Sequence, residues 1–275
     1  MKIGEPRRTA FAAARARALH QLAGPPRVFN DSLAIPILGI DPAELIQPAD
    51  EQARRTQLFL ALRSRFADDA IADAIASGTR QVVVLGAGLD TFAYRNPSTG
   101  IRVFEVDHPD TQAWKRSRLA DAGIDIPPSL VFAPIDFEHQ GLDDGLRAAG
   151  FNRTLPVIFV WLGVLHYLTA EAVSATLQFI ASQKARVAVV FDYREPPLTM
   201  PSQDLAEFDS RARRVADLGE PWLTFFTPNE LAEKLTTIGF TTIADHTGAD
   251  LYIRYTGRRP RTATRSTTHV VLAGR

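Results

Sequence analysis

Short, unbroken apolar runs recur through the middle of the chain and alternate with stretches of helical spacing. Gln81-Val82-Val83-Val84-Leu85 is the clearest of them, and a strand buried on both faces reads in this way. On that pattern strands are predicted at 81–85, 102–107, 130–135, 156–161 and 186–191, with helices over 109–122, 142–149, 170–182 and 228–238. The alternation implies a doubly wound α/β fold, a parallel sheet with helices on both faces. Residues 5–22 are rich in Ala and Arg and read as a helix stopped by Gly24-Pro25-Pro26. Asn30-Asp31-Ser32 offers caps for a short helix before Pro36. From Asp50 to Ala76, Leu58, Leu62, Phe66, Ala70 and Ile71 fall on one helical face, and Ser77-Gly78 ends the pattern. Residues 195–225 interrupt the alternation with Pro196-Pro197, an amphipathic stretch from Leu205 to Leu218, and Pro221-Trp222. Segments near 240–246, 250–256 and 267–273 read as antiparallel strands, with Arg258-Arg259-Pro260-Arg261 as a solvated turn between two of them. The expected organisation is one domain over 1–275: a helical cap (1–78), a core (79–194), a lid insertion (195–227), and a closing helix with strands (228–275).

Composition narrows the class. The chain has 275 residues, 45% of them hydrophobic, zero formal net charge and no cysteine. That suits one large domain with a full core. It excludes disulfides, thiolate metal sites and a cysteine nucleophile, and no metal is expected. Met1 to Arg8 lacks a signal-peptide apolar core, and no apolar run approaches the length of a membrane span. A cytoplasmic protein is therefore expected. The neutral charge argues against a nucleic-acid partner, and the sequence leaves the oligomeric state open.

The candidate chemistry starts where the first strand ends. Gly86-Ala87-Gly88 follows Leu85, and the next strand ends in acid, Val103-Phe104-Glu105-Val106-Asp107. Glycines there let the backbone turn sharply and let a ligand approach closely. An acid at the following strand tip can accept from a ribose diol, so the pair describes a nucleoside pocket. A nicotinamide-dinucleotide fingerprint needs a third glycine, and that position holds Thr91. A Tyr-x-x-x-Lys pair is absent as well. An NAD-dependent dehydrogenase is thus the alternative rather than the first reading.

Longer motifs extend the comparison. They are Leu85 to Arg95, Phe104-Glu105-Val106-Asp107-His108-Pro109, Arg27 to Asp31 with Leu38-Gly39, Arg63 to Asp69, Gln112 to Arg116 and Trp161 to Thr169. Together they resemble the S-adenosylmethionine-dependent methyltransferases of the leucine carboxyl methyltransferase-like family, in its bacterial branch. The resemblance runs from about residue 8 to 195 and thins beyond it. It implies a Rossmann-like class I methyltransferase sheet with an antiparallel C-terminal edge, a helical N-terminal and insertion lid, and S-adenosyl-L-methionine as cofactor.

The resemblance also implies roles. Gly86 and Gly88 would pass close to the methionine part of the cofactor, and Asp107 would take the ribose hydroxyls by charge-assisted bonds. The plainer role for Asp107 is a helix cap ahead of Pro109. Glu105 points the same way from deeper in the strand, and Asp90 is read as structural. Asp136 and Phe137 would hold the adenine, the Asp accepting from its amine, against a cap and a core aromatic as the bland reading. Arg63 would bind the cofactor carboxylate; Arg65, about 200° round the helix, competes for that place. Relatives that carry an acid after the fourth strand differ here, because this chain has Leu162. That puts the contact to the cofactor amine on backbone carbonyls. His166, Tyr167 and Arg194 are the candidates on the acceptor side. His166 is either a general base or a structural histidine, and Arg194 either a carboxylate ligand or a surface ion pair. Glu195-Pro196-Pro197-Leu198 reads as a rigid loop. The expected reaction is in-line methyl transfer to an oxygen of a small metabolite, carboxyl favoured over hydroxyl. A catalytically silent S-adenosylmethionine-binding protein is a further alternative.

Overall fold

The computed structural model describes residues 8–24, 27–45, 50–96, 98, 100–136, 140–197, 202–260 and 267–275, without the side chains of 202–204 and 207. They form two compact units that divide after Phe151.

The first unit opens with α1 (Arg8–Leu22), a 3-10 turn (Pro36–Leu38), α2 (Pro42–Leu45) and the long α3 (Glu51–Ala76). Asp50 caps α3 by accepting from the Ala53 N–H at 2.7 Å. Then follow β1 (Gln81–Leu85), α4 (Phe92–Arg95), β2 (Arg102–Asp107), α5 (Pro109–Asp121), β3 (Leu130–Pro134) and α6 (Leu142–Ala148). β2 lies between β1 and β3, parallel to both, with Leu85 opposite Val106 and Asp107 opposite Pro134. Every residue of β1 is buried, as its unbroken apolar run requires. The helical N-terminal segment has its own core. Ala14, Ala18, Ala34, Ile37, Leu38 and Leu45 pack with Leu89, from the loop after β1, and Leu119 of α5.

The second unit contains β4 (Val157–Trp161), a 3-10 turn (Leu165–Tyr167), α7 (Ala170–Ala181), β5 (Val187–Arg194), α8 (Ser202–Asp217), α9 (Pro228–Ile238), β6 (Thr242–Thr247), α10 (Gly248–Thr256) and β7 (Thr268–Gly274). Its strand order is β4-β5-β7-β6. β4 and β5 are parallel, while β7 runs antiparallel to both β5 and β6, which gives the antiparallel C-terminal edge. Among the described residues no helix is long and apolar enough to cross a membrane.

Three sequence expectations are corrected. Residues 250–256 form the helix α10 instead of a strand. Their Tyr, Ile and Thr favour strand locally, but the ends of the segment decide. Thr247 and Asp250 make a reciprocal capping box, and Gly257 closes the helix in the left-handed region at φ 67°. Arg258 to Pro260 are exposed and follow a helix, so they do not join two strands; Arg261 lies outside the described residues. The short helix expected after Asn30 is a turn leading into the 3-10 segment at Pro36–Leu38. Asp31 does accept the Leu33 N–H at 3.1 Å, but its carboxylate serves mainly a buried ion cluster.

Candidate functional site

In the first unit the chain leaves β1 through Gly86 (φ 65°) and Gly88 (φ 45°), both left-handed. These angles are strained for any residue with a Cβ. The turn is tied to β2 by its backbone, the Ala87 N–H donating to the Val106 carbonyl at 3.0 Å. Asp107 closes it. Its Oδ2 accepts the Gly88 N–H at 2.6 Å, and its Oδ1 accepts the His108 N–H at 2.7 Å. The cap of α5 is therefore His108, whose Nδ1 accepts from the Asp110 N–H at 3.2 Å. Asp107 is left as a half-buried carboxylate on the glycine turn. A Cβ on Gly88 would lie 3.1 Å from the Ala10 Cβ, so α1 passes directly over the turn. Asp90 accepts the Phe92 N–H at 2.8 Å, the structural role expected of it.

Glu105, two residues before Asp107, is wholly buried. Its Oε2 accepts from Lys115 Nζ at 2.7 Å and from the Tyr94 hydroxyl at 3.4 Å. Burial outweighs the attraction of Lys115 and pushes the Glu105 carboxyl up to about 7. Arg63 and Arg65 separate as their helical phase requires: Arg63 is buried, while Arg65 is exposed and pairs with Asp69 at 2.8 Å. Asp136 is half buried, two residues beyond β3. Phe137 lies outside the described residues.

Sequence reasoning missed the charged cluster on the far side of the turn. Asp31, wholly buried, accepts from Thr91 Oγ1 at 2.7 Å and from Arg17 Nε at 3.2 Å. Arg95 lies 3.3 Å from it and donates to Asp68 at 2.9 Å. Burial raises the Asp68 carboxyl to about 6, although Arg95 opposes the shift. His20 Nε2 accepts from the Val28 and Phe29 N–H groups at 3.2 and 3.4 Å. Burial first, and then Arg27, lower its basicity. The signal available in the sequence was polar residues inside otherwise apolar stretches, Arg17 on an Ala-rich helix above all.

In the second unit the acceptor-side candidates converge. Gly163, after β4, donates its N–H to Asp192 of β5 at 2.5 Å. The His166 carbonyl accepts the Leu223 N–H at 2.7 Å, the Leu168 carbonyl accepts from Thr224 Oγ1 at 2.5 Å, and the Arg194 carbonyl accepts the Phe226 N–H at 3.1 Å. Residues 220–226 are thereby strapped across the carboxyl-terminal ends of β4 and β5. Trp222 is carried on this strap. The Arg194 Cζ lies over its ring, 4.1 Å from the centroid, His166 meets it edge-on at 6.2 Å, and Phe208 of α8 packs at 5.3 Å. The Tyr167 ring lies 4.3 Å from that of His166. The sequence marks Pro221-Trp222 only as part of the interrupting segment and gives Trp222 no role, because a lone Trp after a Pro carries no motif. Leu162 is half buried at the end of β4.

Next to Arg194 the polar cluster is structural. His269 lies between Asp245 (2.9 Å) and Glu195 (3.0 Å) and stacks on Tyr193, whose hydroxyl donates to Asp245 at 2.6 Å. Burial alone would lower the His269 basicity, but the two carboxylates reverse this and raise it.

Comparison with known proteins identifies the family. The leucine carboxyl methyltransferase family matches residues 10–181. YktD of Bacillus subtilis, named as a candidate S-adenosyl-L-methionine-dependent methyltransferase, is 30% identical over 91% of this chain and 91% of its own length. A Mycolicibacterium gilvum protein named in the same way is 32% identical over 78% of this chain and 73% of its own. Among solved structures, magnesium protoporphyrin IX methyltransferase from Synechocystis PCC 6803, crystallised with bound SAH, aligns over 98% of this chain and 95% of its own. Its TM-score is 0.51 at 14% identity, a likeness of fold. These matches set aside the dehydrogenase reading, leaving S-adenosylmethionine as the cofactor and methyl transfer as the family's activity. With its glycine turn, acid-tipped β2 and Rossmann-like α/β strands, the chain belongs to the leucine carboxyl methyltransferase family of S-adenosylmethionine-dependent methyltransferases.

Proposed function

We propose that the enzyme methylates a carboxyl oxygen of a small metabolite. The observation that carries this reading is Arg194, fixed against the Trp222 ring at the end of β5, 4.1 Å from its centre. A guanidinium held over an aromatic face is pre-organised to pair with a carboxylate. His166, Tyr167 and the 195–227 lid complete the acceptor side in this reading. On the donor side, Gly86 and Gly88 give the backbone its close approach, Asp107 takes the ribose diol, Arg63 the cofactor carboxylate, and Asp136 with Phe137 the adenine. The residues fit such a ligand: Gly86 and Gly88 bring no Cβ to the turn at two left-handed positions, and the Asp107 carboxylate is held on that turn.

S-adenosylmethionine, when bound, supplies a methyl group made electrophilic by its sulfonium. The chain then has to orient the acceptor and exclude water. A carboxylate is already ionised at neutral pH and needs no base. This leaves His166 a structural task, consistent with its carbonyl anchoring the strap. The same reading takes the acceptor to be a diffusible cytoplasmic metabolite, with no nucleic acid involved.

The test follows the fate of the product. The enzyme is incubated with methyl-labelled cofactor and a panel of small acids, phenols and alcohols, and the labelled product is treated with mild alkali. A methyl ester releases its label as methanol, whereas an ether keeps it. Alkali-labile product, together with a higher acceptor KM and unchanged cofactor Kd in Arg194→Met, is the expected result. Alkali-stable label would contradict carboxyl methylation and return His166 to consideration as a base.

A further inference from the structure

The cluster around Asp31 joins distant stretches of sequence to the loop that carries Gly86 and Gly88. The Thr91 hydroxyl donates to Asp31 Oδ2 at 2.7 Å and accepts from Arg95 Nε at 3.0 Å, so both of its hydrogen-bonding roles are used. Arg17 divides its guanidinium, with Nε on Asp31 at 3.2 Å and Nη2 on the Leu89 carbonyl at 2.6 Å. Arg95 reaches on to Asp68 of α3. Leu89 and Thr91 belong to the loop itself. Its downstream half is therefore held by charge from α1, α3, α4 and the segment around Asp31. The upstream half is held by Ala87 on Val106 and Gly88 on Asp107. Gly86 thus lies between β1 and the Ala87 anchor, and Gly88 between Ala87 and the Leu89 anchor.

Such anchoring has a physical purpose. A loop built on Gly-x-Gly has the largest conformational freedom to lose, and a ligand that must order it binds more weakly by that entropy. A buried ion cluster adds little net stability compared with apolar packing, but its bonds are directional and fix a backbone where apolar contacts would let it slide. The Arg17–Leu89 bond acts on the loop backbone directly.

We propose that Asp31 and Arg17 are positioning residues for the cofactor loop, holding Gly86–Thr91 in its binding conformation through Thr91 and the Leu89 carbonyl. The inference rests on the assignment of Gly86, Gly88 and Asp107 to the donor site. Neither residue touches the ligand in this scheme. By reciprocity, cofactor binding tightens the docking of α1 on the loop.

The test is calorimetric titration of S-adenosylhomocysteine into the full chain and its Asp31→Asn, Thr91→Val and Arg147→Gln variants. Thermal melts and hydrogen exchange over residues 86–91 accompany it without ligand. Asp31→Asn is expected to raise Kd by about tenfold or more, the scale of one charge-assisted bond. Thr91→Val should raise it by about threefold or more, as for a neutral bond. Both variants should exchange faster at 86–91, at temperatures where circular dichroism shows a folded protein. Arg147→Gln, on the exposed face of α6, should match the wild type. If Asp31→Asn does not fold, Thr91→Val decides, because it removes one hydroxyl at nearly constant volume. Folded variants that bind as tightly as the wild type would overturn the proposal. Absence of binding by the wild type itself would overturn the donor-site assignment, and the proposal with it.

Discussion

Asp107 Oδ2 accepts the Gly88 N–H at 2.6 Å, so the acid that ends β2 and the turn that follows β1 move as one piece. The bond makes the register between the strands a functional quantity. Leu85 pairs with Val106, and a slip of one residue would turn Asp107 to the opposite face.

Gly88 is constrained in two ways that can be separated. Gly88→Ala places a Cβ in the left-handed region, costing roughly 1–2 kcal/mol, and brings it 3.1 Å from the Ala10 Cβ. Gly100 also has positive φ (81°), but its Cβ would meet nothing within 4 Å. Both Ala variants should lower Tm, and only Gly88→Ala should also weaken S-adenosylmethionine binding. Equal cofactor affinity in the two would show that the turn does not meet the ligand.

Lys115 and Glu105 form a buried pair at 2.7 Å. Lys115→Met leaves the carboxylate unpaired and should cost about 3–5 kcal/mol. Because burial raises Glu105 from 4.5 to about 7, the folded state holds its proton where the unfolded chain has lost it. Its contribution to stability therefore falls as pH rises from 4.5 to about 7. The penalty in Lys115→Met should be smallest at acid pH and largest above neutrality, and a second change, Glu105→Gln, should relieve it. Urea midpoints across pH check this; a pH-independent penalty would contradict it.

His269 works in the opposite sense. Its basicity is raised above the ordinary 6.5, so the folded state binds its proton more tightly than the unfolded chain does. The resulting stabilisation is fully present below 6.5 and is lost as pH rises through the folded-state value. The wild-type urea midpoint should therefore fall on going from mildly acid to alkaline conditions, and His269→Gln should flatten that fall. An unchanged slope would mean that Asp245 and Glu195 do not hold the ring charged.

Much of this was legible in the sequence because the signals were local. β1 announced itself by an unbroken apolar run, and Asp107 by standing at the end of a strand of the right length. Arg63 and Arg65 separated on helical phase alone. What stayed hidden depends on contacts between distant residues. Asp31 read as a helix cap because Asp commonly caps, and only folding brings Arg17, Thr91 and Arg95 to it. Residues 250–256 read as a strand because Tyr, Ile and Thr favour strands, while the capping box and Gly257 outweighed that preference. Trp222 carried no pattern, and its role comes from the strap that lays it across Arg194 and His166.

The central claim is that the Asp107-closed glycine turn holds S-adenosylmethionine, and titration calorimetry on Asp107→Asn tests it most directly. Asn keeps an oxygen for the Gly88 N–H but loses the acceptor for the His108 N–H and removes the charge that a ribose diol would share. The wild type should bind the cofactor at one site. Asp107→Asn should bind it about ten- to a hundredfold more weakly, as for loss of a charge-assisted pair of bonds, while still folding, with a melting temperature lowered only by the loss of the His108 N–H bond. Equal affinity in the two proteins would contradict the account.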